Sequence, residues 1–598
     1  MATFVDKYPE EAKVVQATLV VSFISLGIGA FFGLIQALHR TNVLRVIDSV
    51  DYYTVLTGHG VLLALWFTIF FLVGLFTWAI VKGFERPVPD IRLTWAWVGL
   101  MTTGAVLATI AILAGFVPEI PMSADVLYTF YAPLQAHPVF YIGTAMFIVG
   151  TWIAGADWFL AYRGWRQDNP DERIPLQAFM VLTTMIMWFV STLGVAVSVV
   201  VFLIPWSLGI IDTVNPLLTR TLFWYFGHPV VYFWLMPAYL LWYTVLPKLA
   251  GGRLFSDPLA RVVFVLFVLL STPVGIHHQY LDPGIAEGFK FIAMTNTMFL
   301  LLPSLLTAFT VVASVEHGAR QRGGEGYLRW LGALPWRDPA FAGMALAGLM
   351  FAAGGFSGMI NAGMNINYLV HNTLWVPGHF HMTVGTAVAL TMMAGTYWLL
   401  PQLTGKPVYS RPIGLLQVIT WFVGMVFMSN AMHRGGLLGI PRRTAEPQYQ
   451  NFDFVAAVGS ISEIRMQIAL GGVLLFVSVV IFLFNVAATW ADDRVDTPVD
   501  DTIPEPLSSS SGAPLVLDNL ALWTGIAVVL VILAYTLPLA GIISDAGLFG
   551  GSRGFSVAFS LEWLVDATVA AVTNVSLDSL AGVAPVDAVV DSLQEVSR

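Results

Sequence analysis

An all-α membrane protein, a bundle of about thirteen transmembrane helices, is what this 598-residue sequence predicts, on three observations. The chain is 57% apolar and only 11% charged, whereas a soluble domain carries about a quarter charged residues to cover its water-facing surface. Apolar runs of about 20 residues, long enough to cross a bilayer as a helix, recur along nearly the whole chain. The polar breaks between them carry arginine and lysine in alternate loops, as membrane orientation demands.

The runs fall near 15–38, 56–81, 93–116, 138–162, 175–206, 217–246, 260–281, 288–316, 340–361, 371–400, 412–433, 463–489 and 516–543. Proline and glycine inside several of them are tolerable where neighbouring helices satisfy the freed backbone groups. No matched pair of broken helices marks two transporter-like halves. Lys82, Arg86 and Arg92 follow the second span, and Arg163, Arg166 and Arg173 the fourth. Lys248, Arg253 and Arg261 follow the sixth; Arg320, Arg322, Arg329 and Arg337 follow the eighth. Even-numbered loops and the N-terminus are therefore expected in the cytoplasm, and the C-terminus outside. The outer loop with Arg434, Arg442 and Arg443 breaks that rule and needs its own reason. No cleavable signal is expected before the first span. The stretch 490–515, acidic and rich in proline and serine, reads as a linker, and 544–598 as an outer tail of amphipathic character. The net charge of -9 and the lack of a basic tract give no sign of nucleic acid as a partner. Cysteine is absent, which excludes disulfides, thiolate metal sites and a covalently attached c-type haem.

Eleven histidines carry the chemistry. Six of them (His59, His228, His277, His278, His379 and His381) sit within predicted spans rather than at their rims, where ionisable groups are costly and functional by default. One such residue alone could be an interhelix hydrogen-bonding histidine; their spacing together argues otherwise. His379 and His381, in VPGHFHMTVG, are two residues apart and so project from nearly opposite faces of one helix. A single helix can then serve two metal centres. His277 and His278, in GIHHQYLDPG, are adjacent and aim toward a shared neighbouring point. Imidazole suits copper and haem iron alike, and no carboxylate or thiolate accompanies these residues. The HExxH spacing of a zinc hydrolase does not occur. Six histidines divide naturally into two for a low-spin haem, one for a five-coordinate haem and three for copper. Tyr232 follows His228 by four residues, one helical turn, and can supply a proton and an electron beside a metal-bound imidazole.

With HPVVY, HHQYLDPG and WVPGHFHMTVG in this order, the sequence resembles subunit I of the haem–copper oxidase superfamily, and within it the B family of ba-type cytochrome c oxidases. The resemblance runs from about residue 15 to 543 and implies a catalytic transmembrane domain over 1–543. It also implies a terminal respiratory oxidase that reduces O₂ to water, takes protons from the cytoplasm and pumps protons. Helix geometry does not decide which of His379 and His381 serves which haem. The resemblance assigns His59 and His381 to a low-spin b-type haem and His379 to a high-spin a-type haem. It assigns His228, His277 and His278 to one copper ion, with Tyr232 cross-linked to His228. Arg442 and Arg443 would meet the haem propionates, with His371 and Asn372 nearby, which gives the exceptional outer arginines a role.

The subfamily rests on Val230, where the A family has glutamate, and on the lack of a lysine along the eighth span beyond Lys290 at its very start. Instead, His228, Tyr232, Tyr239 and Tyr243 share one helix face, and Ser304 and Thr307 lie on the eighth span. Together they resemble the B family's single proton-input path. Some relatives carry aspartate where this chain has Asn367, so His371 or the propionates would have to store the proton. The implied partners are a second subunit with a dinuclear copper centre, a soluble cytochrome c or blue copper donor acting through it, a small single-helix subunit and the lipid of a prokaryotic plasma membrane. A nitric oxide reductase, with extra buried glutamates and no tyrosine at this spacing, fits less well. A cofactor-free transporter would show no visible-light spectrum.

Overall fold

The computed structural model describes residues 3–41, 43–45, 47–445, 461–494 and 500–550. Twelve helices are long and apolar enough to cross a membrane among them. They are α1 (Pro9–Arg40), α2 (Ser49–Phe84), α3 (Ile91–Phe116), α4 (Pro138–Asp168), α5 (Leu176–Ser207), α6 (Pro216–Leu249), α8 (Glu287–Gln321), α9 (Pro339–Ala362), α10 (Trp375–Thr404), α11 (Arg411–Leu437), α12 (Ile461–Ala491) and α13 (Leu520–Ala546). The helix between α6 and α8, α7, spans Asp257–Ser271.

This corrects the expected seventh span at 260–281. Fifteen residues rise only about 22 Å, short of the roughly 30 Å hydrocarbon layer. Pro273 has no amide hydrogen and disfavours helix at the residue before it, so the chain leaves α7 and makes a 3-10 turn at Gly275–Gln279. Beyond the turn, Asp282 pairs with Arg220 near the start of α6 at 2.8 Å.

Caps and packing follow from sequence. Asp48, Asp90, Asn215, Ser256, Asp338, Ser410 and Asn519 each accept amide hydrogens at the first turn of a helix. α3 and α4 approach closely at Gly104 and Gly143, where a Cβ on Gly143 would lie 2.5 Å from the Gly104 carbonyl. Wide π-helical turns interrupt α2 at Val61–Phe67 and α10 at Thr383–Val388. Each begins two residues after a singled-out histidine, His59 or His381, and such bulges favour functional sites.

The predicted acidic linker is in part a bound strap. Residues 500–518 lie across the ends of α2, α6 and α7. Asp501 pairs with Lys82 at 2.8 Å, and Lys248 donates to the carbonyls of Asp500 and Thr502 at 2.6 and 2.5 Å. Ser508 bridges Ser256, and the fully buried Arg261 joins Asp257 and Asp518 at 2.6 and 2.8 Å. Of the basic residues that oriented the bundle, Lys82, Lys248 and Arg261 thus find acidic partners on this strap. Of the linker, 495–499 lie outside the described residues, as do 551–598 of the expected outer tail.

Candidate metal centre

Two cavities flank α10, and His381 and His379 face one each. The His381 and His59 rings lie parallel within 17°, with centroids 6.4 Å apart. His381 Nδ1 meets the Pro377 carbonyl at 2.7 Å, and His59 Nδ1 meets the Gly29 carbonyl at 2.9 Å. Each carbonyl fixes a protonated Nδ1 and leaves Nε2 as the free donor atom, the usual support of a metal-ligating histidine. The cavity between the rings measures about 310 Å³ and is lined mainly by apolar side chains. Gly33 is part of its wall, where a Cβ would come within 2.8 Å of the His59 ring.

The second cavity, about 190 Å³, is lined by His379, His228, His277, His278 and Tyr232. His379 Nδ1 is held by the Gly354 carbonyl at 2.9 Å and the Ser357 hydroxyl at 3.0 Å. Gly358 gives it room, since a Cβ there would lie 2.8 Å from its ring. Opposite, candidate ligand atoms of His228, His277 and His278 all lie within 4.8 Å of one another. His228 Nδ1 and His278 Nε2 are 3.1 Å apart. His277 Nδ1 contacts the Thr297 hydroxyl at 2.7 Å, leaving its Nε2 free, and His278 stacks on Trp224 at 3.8 Å. Three converging imidazoles without a carboxylate suit copper or another imidazole-binding transition metal. Helix α6 is interrupted at His228, between Pro216–Gly227 and Pro229–Leu249, which lets that ring turn inward. Tyr232 sits with its ring centroid 5.0 Å from that of His228. His228 Nε2, buried, has no hydrogen-bond partner among the described residues.

At the outer end, the backbone seats both arginines. Leu374 N donates to the Ile440 carbonyl at 2.7 Å and Arg442 N to the Asn372 carbonyl at 2.8 Å. Asn372 and Arg443 both adopt positive φ, 56° and 62°, a conformation asparagine accepts more readily than most residues. The Arg442 guanidinium reaches Asn372 Oδ1 at 3.0 Å. Burial and the neighbouring Arg443 charge press its pKa down to about 9. Arg443 lies over the rings of Tyr128 and Tyr131, and its buried Nη2 lacks a hydrogen-bond partner among the described residues. Two adjacent guanidiniums without a carboxylate between them among the described residues are a receptor for carboxylates. His371 Nδ1 meets Asn367 Oδ1 at 3.0 Å, and Asn367 Nδ2 donates to the Asn361 carbonyl at 2.6 Å. Burial and the Arg442 charge lower the His371 pKa to about 4.

Of the hydroxyls on α6 and α8, Tyr243 and Thr307 meet at 2.7 Å. Ser304 lines the smaller cavity with Tyr232. Tyr239 lies between, 6.1 Å from Tyr243 by ring centroids, its buried hydroxyl without a hydrogen bond among the described residues.

The fit to two haems and a copper ion therefore rests on imidazole nitrogens left free toward two cavities, space cleared by glycine and the unpartnered guanidinium nitrogen of Arg443. Sequence reasoning missed Gly33, Gly358, Ser357, Thr297 and Tyr128. It also missed Arg40, which lines the larger cavity and donates to the Pro441 carbonyl at 2.8 Å. Only the glycine cluster at 354–358 offered a signal.

Residues 13–474 match the family described as cytochrome c and quinol oxidase polypeptide I. The chain is 41% identical over 545 residues to cytochrome c oxidase subunit 1 of Thermus thermophilus, covering 89% of this chain and 94% of that protein. It is 28% identical over 289 residues to cytochrome c oxidase polypeptide 1 of Halobacterium salinarum, covering 47% and 43%. Among solved structures, a haem–copper terminal oxidase dimer determined by cryo-EM superposes with a TM-score of 0.83 at 34% identity, covering 92% of this chain and 96% of that one.

Proposed function

The chain belongs to the cytochrome c and quinol oxidase polypeptide I family, and from that premise we propose how its residues divide the work. It is the catalytic subunit I of a haem–copper terminal oxidase, a multi-pass membrane protein that reduces O₂ to water. When bound, the haems and copper supply the electron transfers and the four-electron reduction itself.

His59 and His381 hold the low-spin b-type haem through Nε2, and His379 holds the high-spin a-type haem. The observation that carries this reading is the placement of His381 and His379 on opposite faces of α10, one per cavity. His228, His277 and His278 hold the copper. Tyr232 gives a proton from its hydroxyl into the same cavity, and its cross-link to His228 Nε2 accounts for that nitrogen's lack of a partner. Arg442 and Arg443 bind propionate carboxylates, and Asn372 orients Arg442. Asn367 cannot carry a proton as aspartate can, so His371, held by its amide, or the haem propionates would take that role.

Protons enter through Thr307 Oγ1 and Tyr243 Oη and pass Tyr239 and Ser304 to Tyr232. Val230 and this tyrosine series favour the B-family arrangement over a nitric oxide reductase. The N-terminus faces the cytoplasm and the C-terminus the outside of a prokaryotic plasma membrane. Electrons come from a soluble cytochrome c or blue copper protein through a second subunit with a dinuclear copper centre, with a small single-helix subunit alongside. A reduced-minus-oxidised spectrum with metal analysis tests the reading. Two distinct haem signatures and one subunit I copper per two haem irons support it; a featureless spectrum overturns it.

A further inference from the structure

His277 and His278 are held by a short 3-10 turn, Gly275–Gln279, after the break at Pro273. Such a turn has poor internal hydrogen-bond geometry, and its first amides lack partners within it. Something outside the turn must fix it if two of its side chains are to converge with a third from another helix.

The Gly275 amide donates to the hydroxyl of Tyr535 at 2.8 Å. Tyr535 belongs to α13, whose Val528, Val529, Ile532 and Leu533 face outward, yet it is itself 2% exposed. Among the described residues, it makes the one hydrogen bond from an α13 side chain to another membrane helix or the turn. Its ring lies 4.7 Å from that of Tyr225, three residues before His228. Gly275 is required for this approach: a Cβ would collide with the Trp224 carbonyl and sit 2.5 Å from the Tyr535 hydroxyl. Trp224 in turn stacks on His278. One side chain from α13 therefore touches both segments whose histidines converge.

We propose that Tyr535 is a positioning residue of the copper site, locking the turn that bears His277 and His278 against the segment that leads to His228. The inference rests on reading the three histidines as the copper site. It makes α13 a structural support of the metal centre. Groups that support metal ligands from behind are worth about 10–100-fold in metal affinity.

Tyr535→Phe keeps the ring against Tyr225 and removes only the acceptor oxygen. The purified variant, dialysed against a copper chelator, should lose copper about tenfold faster than the unsubstituted enzyme, with both haem contents and the low-spin spectrum unchanged. Equal copper retention overturns the proposal, and so does parallel loss of copper and both haems, which marks a general fold defect. Hydrogen exchange in the unsubstituted protein gives a second reading that does not depend on the variant's assembly. The Gly275 amide should exchange slowly, and fast exchange contradicts the bond. Copper retained in His278→Ala instead removes the reading of the triad itself, a failure distinct from that of Tyr535.

Discussion

The Tyr243 and Thr307 hydroxyls, 2.7 Å apart, join α6 to α8 in the half of the bundle away from the outer arginines. Thr307 also donates to the Pro303 carbonyl of its own helix, so a proton passing to Tyr243 requires only local reorientation of hydroxyls. A polar track is needed here because unpaired polar groups in the hydrocarbon layer cost several kcal/mol each. Thr307→Val keeps the shape and removes the hydroxyl. Turnover should fall on the order of tenfold, equivalent to about 1.4 kcal/mol of barrier, with haem spectra and copper content unchanged. Oxygen consumption measured beside an Arg320→Gln control checks this, and near-normal rates in the valine variant would show that protons travel elsewhere.

The orphaned Nε2 of His228 and the adjacent Tyr232 ring make the second prediction. Bond formation between that nitrogen and a phenol ring carbon removes two hydrogens with two electrons, which O₂, the enzyme's own acceptor, can take. Peptide mass spectrometry of turned-over enzyme should find the His228 and Tyr232 segments in one fragment, even after cleavage between them, at the summed mass less two hydrogens. Separate peptides would remove the link.

Arg443 has a guanidinium nitrogen waiting for an acceptor, and Arg442 already spends part of its own on Asn372. Arg443→Ala should therefore weaken haem retention by about 1.5–3 kcal/mol, the value of a hydrogen bond to a charged group. Arg442→Lys loses the planar fork and should do comparable harm. Haem dissociation rates test both, and rates equal to the unsubstituted enzyme would deny the propionate contact.

The strap predicts a defect remote from the metals. Asp501→Asn leaves Lys82 largely buried without its ionic partner and should lower stability by about 1–3 kcal/mol. The time course of thermal inactivation checks it, since a protein of this kind unfolds irreversibly. An unchanged inactivation rate would mean the strap does not bear on the fold.

The chemistry was legible in this sequence because depth and spacing are physical quantities. His379 and His381 stand about 200° apart on any α-helix, and six histidines in apolar runs demand a reason. The bare shape of the sites was not legible. Gly33 looks like any membrane-helix glycine until a histidine ring is seen to occupy the space. The seventh span misled because its apolar run continues through Pro273, and composition does not show where the helix stops. The strap's bonds go largely to backbone carbonyls, as with Lys248 and Arg253, and a carbonyl acceptor leaves no mark in a sequence. Asn372 and Tyr535 have their roles only through partners 70 and 260 residues away.

One helix, α10, serves two centres from opposite faces. Optical spectra and metal content of His381→Ala and His379→Ala, prepared side by side, test that directly. His381→Ala should lose the low-spin haem signal and keep high-spin haem and copper, while His379→Ala should lose the high-spin haem and keep the low-spin signal. Loss of the same haem from both proteins would contradict it.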